Sequence, residues 1–265
     1  AGEPMKAMIE AGAGTAYLED IRRQKDIELL EAVRESVKGD HIKTFEKLDK
    51  SGDYREIEGK KERHEAVKSE MTAEKLQDYK KNLLLVSTNA DRKAYNKEIR
   101  GEYVKRGELE QGREYKITSR DGDKETTEKR NFAAGDRVIF TANDNKPDAK
   151  NGPSGPIENI EENRFTVRTD AGQQKQFYID KYNDIDHSYA VTNYKAQGMT
   201  VEKVVADMST KSKAQDRNAL YVNVSRAGIS KEKAAKGEFE KAVVYTDDKK
   251  KLEKQTKEFA HKVTS

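Results

Sequence analysis

The feature that most constrains this chain is a run of four apolar residues, 83–86, in a sequence in which 38% of the residues are charged. A short apolar run of this kind is typical of a strand that is buried on both faces of a parallel sheet. Ser87-Thr88-Asn89 follows it, and Asn89 is predicted to cap a helix that ends at Gly107. Strand, cap and helix form half of a βαβ unit, so the sequence predicts an α/β fold.

Helical spacing of apolar residues precedes this strand. In the first helix the apolar residues recur three and four positions apart and are Ile27, Leu30, Val33 and Val37. This helix is predicted to end at Gly39. A shorter helix is predicted over residues 42–48. The Lys- and Glu-rich residues 53–82 are predicted to form a solvated helix with a break at Thr72.

From residue 108 to residue 182 the hydrophobic period becomes two. Short alternating segments are separated by turn signals such as Asn151-Gly152, which predicts a small all-β module. The α/β pattern then returns, with predicted strands at residues 189–192, 204–206 and 243–246 and a basic helix from about residue 248. The predicted architecture is therefore a parallel-sheet α/β domain that is interrupted by an inserted β module.

Composition excludes several classes of chemistry. The chain has no cysteine, which rules out disulfides, thiolate zinc sites and thiol catalysis. The four histidines are scattered without the spacing of metal ligands and are predicted to be surface or incidental residues. They are His41, His64, His187 and His261. No run approaches the ~20 apolar residues of a membrane span. A net charge of +3 does not by itself indicate a nucleic-acid-binding protein.

Residues 189–200 place a threonine at the end of a predicted strand and a glycine in the turn that follows. If a helix follows this turn, its N-terminal backbone N–H groups and the small polar side chains suit a phosphate. The alternative is an ordinary strand-to-helix turn that binds nothing. The residues of this segment leave both interpretations open.

Two further segments carry arginines in suggestive positions. Residues 218–227 predict an apolar helix that ends in Ser-Arg-Ala, so Arg226 presents one guanidinium at the helix end. Residues 20–24 place Arg22 and Arg23 just before the first helix. Arginine keeps its charge, and its planar fork matches phosphate. Taken singly, each arginine is predicted to be a solvated or ion-paired surface residue.

Together these segments resemble the motifs of a known family. Thr-x-x-Lys-Ala-Gln-Gly (residues 192–198) and Leu-Tyr-Val-x-Val-Ser-Arg-Ala (residues 220–227) resemble motifs V and VI of superfamily 1 DNA helicases. Arg23-Gln24 resembles motif IV of their RecD-like branch, and the β module resembles the SH3-like 2B domain that this branch inserts before motif V. Within the branch, the chain most resembles the helicase half of conjugative relaxases of the TraI/TrwC type. Tyr194 departs from the family, which more often has His there.

The resemblance implies roles for particular residues. Arg23 and Arg226 would be arginine fingers that reach the γ-phosphate of ATP across a cleft, where such fingers contribute about 10³–10⁵ in rate. The residues implied to contact the nucleotide are Gln24, Gln197 and Gly198. The residues implied to contact single-stranded DNA are Thr88, Thr192 and Lys195, of which Lys195 could serve either ligand. No metal ligand is implied within this chain.

The resemblance also implies a domain organisation. Residues 1–12 would be a remnant or linker from a first RecA-like domain, 13–107 together with 183–265 the second RecA-like domain (2A), and 108–182 the 2B module. No Gly-x-x-x-x-Gly-Lys-Ser/Thr loop and no magnesium-holding Asp-Glu pair occur in the chain, and the family places both upstream of residue 1. ATP and Mg²⁺ are therefore expected as cofactors of a longer parent protein. The chain alone is expected to bind neither and to be inactive.

The implied activity is 5′-to-3′ movement on single-stranded DNA during conjugative transfer, in the bacterial cytoplasm. The implied partners are single-stranded DNA, the upstream RecA-like domain of the same protein and a type IV secretion coupling protein, with no membrane segment. The alternative function is non-catalytic. On that hypothesis the chain is a vestigial helicase unit of a relaxase that binds single-stranded DNA or serves as a secretion signal.

Overall fold

The computed structural model of the chain describes residues 23–121, 124–141, 154–193, 195–196, 199–212 and 215–257. Its first elements are α1 (Ile27–Lys38), α2 (His41–Lys50), β1 (Tyr54–Glu56), α3 (Lys60–Met71), a 3₁₀ helix (Leu76–Lys81), β2 (Asn82–Val86) and α4 (Asn89–Lys105). Then come β3 (Arg113–Asp121), β4 (Lys124–Phe132), β5 (Arg137–Phe140), β6 (Ser154–Glu161), β7 (Arg164–Arg168), β8 (Gln174–Tyr178) and β9 (Ile185–His187). The last are β10 (Ala190–Thr192), β11 (Lys203–Asp207), α5 (Arg217–Ser225), α6 (Lys231–Ala235), β12 (Lys241–Thr246) and α7 (Lys249–Lys257).

Five parallel strands form the central sheet in the order β1-β12-β11-β2-β10. All five residues of β2 are buried, because successive side chains point to opposite faces and helices cover both faces. Leu83 and Leu85 pack in the layer of α1, α2 and α5, while Leu84 and Val86 pack in the layer of α3 and α4. The predicted α/β fold with a parallel sheet is confirmed.

Local signals place the first helix as expected. Asp26 caps α1 by accepting a hydrogen bond from the backbone N–H of Leu29 at 2.8 Å. Gly39 ends the helix with a φ of 83°, a left-handed conformation that glycine adopts without a Cβ clash. Of the four apolar residues whose spacing predicted the helix, Val33 is buried, but Ile27 and Val37 are exposed, because the face that packs on the core is the one that carries Leu29 and Val33.

An antiparallel β module lies between α4 and β10 in the chain. A hairpin of β3 and β4 packs against a five-stranded sheet in the order β8-β7-β6-β5-β9, and the two share one core. Aromatic side chains fill that core, with the rings of Phe132 and Phe165 in edge contact at 5.8 Å between centroids. Because β9 pairs with β5, the antiparallel sheet extends beyond residue 182.

Helix α4 joins the module to the parallel sheet. Arg92, Asn96 and Arg100 lie four residues apart and share one face of the helix. Arg100 Nε donates to Asp136 Oδ1 at 2.9 Å, and Arg92 Nη1 donates to Asp186 Oδ2 at 2.8 Å. Asn96 exchanges hydrogen bonds with the first residue of β10. Two buried ion pairs and a side-chain amide therefore fix one module against the other.

Three further local predictions were wrong. Residues 53–82 do not form one solvated helix, because their first part is the strand β1, whose Tyr54 stacks on Phe45 with 4.6 Å between ring centroids. The break predicted at Thr72 is confirmed, since α3 ends there. The cap of α4 is Thr88, not Asn89, because Thr88 Oγ1 accepts from the Asp91 N–H at 3.0 Å. After Thr192, the described residues 195–196 form a turn and 199–202 lead into β11, where a helix was expected.

His64 and His187 are buried, so the surface alternative of the prediction was wrong for these two residues. His187 Nε2 lies 3.0 Å from the Asn131 carbonyl, to which the ring must donate. Burial lowers the pKa of His187 by disfavouring the charged ring, and the carboxylates of Asp136 and Asp186 only partly oppose this. Tertiary packing between the hairpin and β9 creates this environment, which one isolated histidine does not signal.

This burial predicts a pH dependence of stability. The folded-state pKa of His187 lies below its unfolded value of about 6.5, so lowering the pH through that value adds a proton to the unfolded chain before the folded one. The free energy of unfolding should therefore fall between about pH 7.5 and 5.5, by at most about 1.4 kcal/mol per pH unit for one proton. Urea unfolding across this window measures it, and His187→Gln should flatten the slope. An unchanged slope in that variant would contradict the assignment.

No helix within the described ranges is long and apolar enough to cross a lipid bilayer.

Candidate nucleotide and nucleic-acid site

The first group of predicted site residues meets at the C-terminal end of α5. Asp216 caps the start of this helix, and Leu220 and Val224 anchor it in the core of the parallel-sheet domain. Arg226 follows the last helical residue, half-buried, and its Nη2 donates to Ser225 Oγ at 3.0 Å. The helix therefore delivers one guanidinium to a defined position at its end.

Arg23 and Gln24 reach the same place from the other end of the chain. Arg23 Nη1 donates to the carbonyl of Ser225 at 2.5 Å. Gln24 Nε2 donates to the carbonyls of Ser225 at 3.3 Å and Ala227 at 2.5 Å. The structure thus brings together three of the predicted residues, Arg23, Gln24 and Arg226, although about 200 positions separate them in sequence.

The two guanidinium groups are close enough to influence each other. The pKa of Arg226 is lowered, first by burial and then by the positive charge of Arg23. Among the described residues, no carboxylate forms an ion pair with either arginine. Two like charges that influence each other, with no carboxylate paired to them within the described residues, favour an anion as their common partner, and phosphate oxygens match the guanidinium fork.

A glycine beside this cluster was missed by sequence reasoning. A Cβ on Gly228 would lie 2.3 Å from Arg23 Cγ and 3.1 Å from the Arg23 carbonyl oxygen. The stem of Arg23 therefore rests directly on the backbone of Gly228, and no larger residue fits without moving it. Its place two residues after Arg226 was the only signal available in the sequence.

The second group lies where β2 and β10 end. These strands are parallel neighbours, and Thr192, the last residue of β10, lies opposite Val86, the last residue of β2. Thr88 comes two residues after Val86, so both threonines lie where the two strands end. Thr88 Oγ1 donates to Asp91 Oδ2 at 2.7 Å in addition to capping α4, so its proton is already engaged. The carbonyl of Thr192 accepts from the N–H of Lys195 at 2.9 Å, which forms the turn.

Lys195 lies between the parallel sheet and the antiparallel module. It lines a cavity of about 260 Å³ together with Val191 from the sheet and Arg137 and Ser154 from the module. Burial and then the charge of Arg92 lower the pKa of Lys195. Its Nζ makes no hydrogen bond to any residue in the described part of the chain. An anionic ligand would supply the missing partner.

Gln197 and Gly198 lie outside the described residues, as does Tyr194. The segment that follows them is described and pairs with the end of α5. The Val201 N–H donates to the carbonyl of Arg226 at 3.1 Å, and the Gly228 N–H donates to the carbonyl of Val201 at 2.8 Å. The segment that follows the motif at residues 192–198 is therefore joined by backbone hydrogen bonds to the end of the motif at residues 220–227. Within the described ranges no cluster of His, Asp or Glu could hold a metal ion.

The chain is similar in sequence to conjugal transfer proteins and similar in fold to a helicase. No family model matches the chain. It is 30% identical over 243 residues to the probable conjugal transfer protein TraA of Sinorhizobium fredii, and 30% identical over 246 residues to the conjugal transfer protein TraA of Rhizobium radiobacter. These alignments cover 85% of this chain and 20% of each relative, so the chain spans about a fifth of their length.

The fold is similar to that of a Pif1 helicase from Bacteroides, solved in complex with ADP-AlF3 and single-stranded DNA. The TM-score is 0.55 at 18% identity, and the alignment covers 88% of this chain and 52% of that one. The resemblance inferred from the motifs is thereby confirmed: the homologues are conjugal transfer proteins, and the structural neighbours are superfamily 1 helicases of the Pif1 type.

Proposed function

We propose that the chain is the 2A and 2B motor region of an ATP-dependent, 5′-to-3′ DNA helicase that moves single-stranded plasmid DNA as part of a conjugative relaxase. The observation that carries this proposal is that Arg23 and Arg226 meet at the end of α5, where no carboxylate among the described residues forms an ion pair with either of them. The antiparallel module would be the SH3-like 2B insertion. The TraA relatives support the conjugative setting.

In this proposal the two arginines act across a domain cleft. An upstream RecA-like domain would bind ATP and Mg²⁺ through the phosphate loop that this chain lacks, so the chain alone would be inactive. ATP supplies a phosphoryl group whose transfer to water drives movement. Arg23 and Arg226 would face the γ-phosphate and stabilise the negative charge that grows in the transition state. Gln197 and Gly198 would border the same cleft.

Single-stranded DNA would lie along the edge where β2 and β10 end. Lys195 has no hydrogen-bond partner among the described residues and a pKa lowered by burial, and a phosphate beside it would favour its charged form. Thr192 would donate to the same backbone. Thr88 remains a predicted contact, although its hydroxyl proton is engaged by Asp91, so it would contribute as an acceptor or by holding α4 in place.

The test is ATP hydrolysis by the full-length protein that contains this chain, with and without single-stranded DNA. We expect DNA to stimulate hydrolysis, and we expect strand displacement only from substrates with a 5′ single-stranded tail. This chain alone should hydrolyse no ATP above the background of a buffer control. A full-length protein that binds DNA but never hydrolyses ATP would overturn the motor proposal.

One observation favours a second, non-catalytic candidate. The Nζ of Lys195, which makes no hydrogen bond within the described residues, can bind a phosphate backbone without any nucleotide. On this alternative the chain is a vestigial unit that binds single-stranded DNA or is recognised by a type IV secretion coupling protein. It predicts tight binding by the chain alone combined with no ATP hydrolysis by the full-length protein.

Fluorescence titration of the chain with a single-stranded oligonucleotide distinguishes the two, because tight binding by the chain alone favours the non-catalytic unit and weak binding favours the motor. The titration is repeated at several salt concentrations to count phosphate contacts. The logarithm of the binding constant should fall with the logarithm of salt by about 0.7 per phosphate neutralised. Lys195→Ala should reduce that slope by roughly one such unit, whereas Lys38→Ala, an exposed residue of α1, should leave it unchanged. An unaltered slope for Lys195→Ala would remove Lys195 from the DNA site.

A further inference from the structure

We infer that Gln24 is a positioning residue, which holds the guanidinium of Arg23 near Arg226 and donates no hydrogen bond to the nucleotide. This inference rests on the proposed function and reassigns one residue of the proposed site. A glutamine amide has two N–H donors. Here they go to the carbonyls of Ser225 and Ala227, the residues on either side of Arg226. Gln24 is only 3% exposed, and both of its donors are engaged, so it has no N–H left to donate to a ligand.

A second contact fixes the chain on the far side of Gln24. Glu240, which is 3% exposed and lies just before β12, accepts hydrogen bonds through Oε1 from the backbone N–H groups of Lys25 and Asp26. The distance to the Asp26 nitrogen is 3.0 Å. The segment that carries Arg23 is therefore tied both to the end of α5 and to the start of β12, so it cannot slide along either element.

The third contact acts on Arg23 itself. Its stem lies on the backbone of Gly228, and its guanidinium donates to the Ser225 carbonyl at 2.5 Å. Arg23 is thus oriented before any anion arrives. Preorganised charge stabilises a transition state more than charge that must first be oriented, because no reorganisation occurs during the reaction. Removing the Gln24 amide should leave the charge of Arg23 in place and disturb only its position.

The test is steady-state ATP hydrolysis by the full-length protein with saturating single-stranded DNA. Gln24→Ala should lower kcat by on the order of 10²-fold, the cost of a small misplacement of a catalytic group, with little change in KM for ATP. In an Arg23→Ala background the same change should cause no further loss, because Gln24 acts through Arg23. The matched control is Gln215→Ala, which removes another buried glutamine, 2% exposed, whose amide donates to the Ser209 carbonyl at 3.3 Å.

A second measurement does not depend on activity. In this chain, ¹⁵N relaxation of the Arg23 Nε–Hε group should report an ordered side chain, which becomes mobile in Gln24→Ala and stays ordered in Gln215→Ala. If Gln24→Ala does not fold, Gln24→Asn replaces it, since its amide is one methylene too short to reach both carbonyls.

These outcomes separate the inference from the proposed function. A wild-type protein without ATP hydrolysis overturns the motor, while the relaxation experiment still decides whether Gln24 orders Arg23. A rise in KM without loss of kcat would make Gln24 a nucleotide contact and overturn the inference. So would an additive loss in the Arg23→Ala background, or an Arg23 side chain that is equally ordered without the Gln24 amide.

Discussion

Replacing Arg226 by alanine is expected to lower DNA-stimulated ATP hydrolysis by the full-length protein by about 10³–10⁵-fold, the range known for arginine fingers. The reason is that Arg226 and Arg23 present paired positive charge, without a carboxylate among the described residues to neutralise it. Arg226→Lys should fall between the wild type and Arg226→Ala, because lysine keeps the charge and loses the planar fork. Steady-state kinetics at saturating ATP and DNA measure both.

The matched control for this prediction is Arg168→Ala. Arg168 is exposed on the antiparallel module, where it pairs with Glu158, and its removal should leave turnover unchanged. Circular dichroism must show that the Arg226 variants remain folded. If Arg226→Ala hydrolyses ATP at the wild-type rate while folded, Arg226 is not a finger and the proposed motor loses its main support.

The largest expected effect on stability comes from Arg100→Met. Arg100 donates to both oxygens of Asp136, at 2.9 Å from Nε to Oδ1 and 2.9 Å from Nη2 to Oδ2, and Asp136 is 0% exposed. Without the guanidinium, the buried carboxylate keeps, within the described residues, only the hydrogen bonds from the hydroxyl of Tyr189 and the N–H of Ala133. Breaking a buried pair in this way costs about 3–5 kcal/mol. Chemical denaturation of this chain measures the loss.

Two further variants give this measurement its controls. Lys38→Ala removes the exposed pair with Glu35 and should change the free energy of unfolding by less than about 0.5 kcal/mol. The double variant Arg100→Met with Asp136→Leu should be less destabilised than the two single changes added together, because no buried charge is left unpaired. A loss below about 1 kcal/mol for Arg100→Met would mean that the joint between the modules does not depend on this pair.

Much of the fold was predictable because its signals are local. The apolar run 83–86 indicated a doubly buried strand, and β2 is buried along its whole length. Helical spacing together with Gly39 located α1 and its end. The short strand β1 was not predictable, because three residues carry no usable period and Tyr54 is buried by distant parts of the chain: it stacks on Phe45 of α2, its strand pairs with β12, and its hydroxyl donates to the carbonyl of Lys249 in α7.

In the candidate site, too, the residue types were predictable from the sequence and their mutual contacts were not. Residue types and spacing singled out Arg23 and Arg226, since a guanidinium suits phosphate whatever surrounds it. Their closeness, the engagement of both Gln24 donors and the close approach of Gly228 depend on residues about 200 positions apart in the chain. No local pattern records such contacts.

The sequence by itself determined which chemical groups are present and which local structures they favour: the buried parallel strand, the capped helices, the alternating β segments and the arginines in their motifs. Only the tertiary structure decided which of those groups are available to a ligand. Burial lowered the pKa of His187, the Asp91 carboxylate took the proton of Thr88, and two carbonyls took both donors of Gln24. Lys195 Nζ, by contrast, makes no hydrogen bond within the described residues. The physical reason is that hydrogen-bond capacity belongs to each side chain, whereas its use depends on the neighbours that folding supplies.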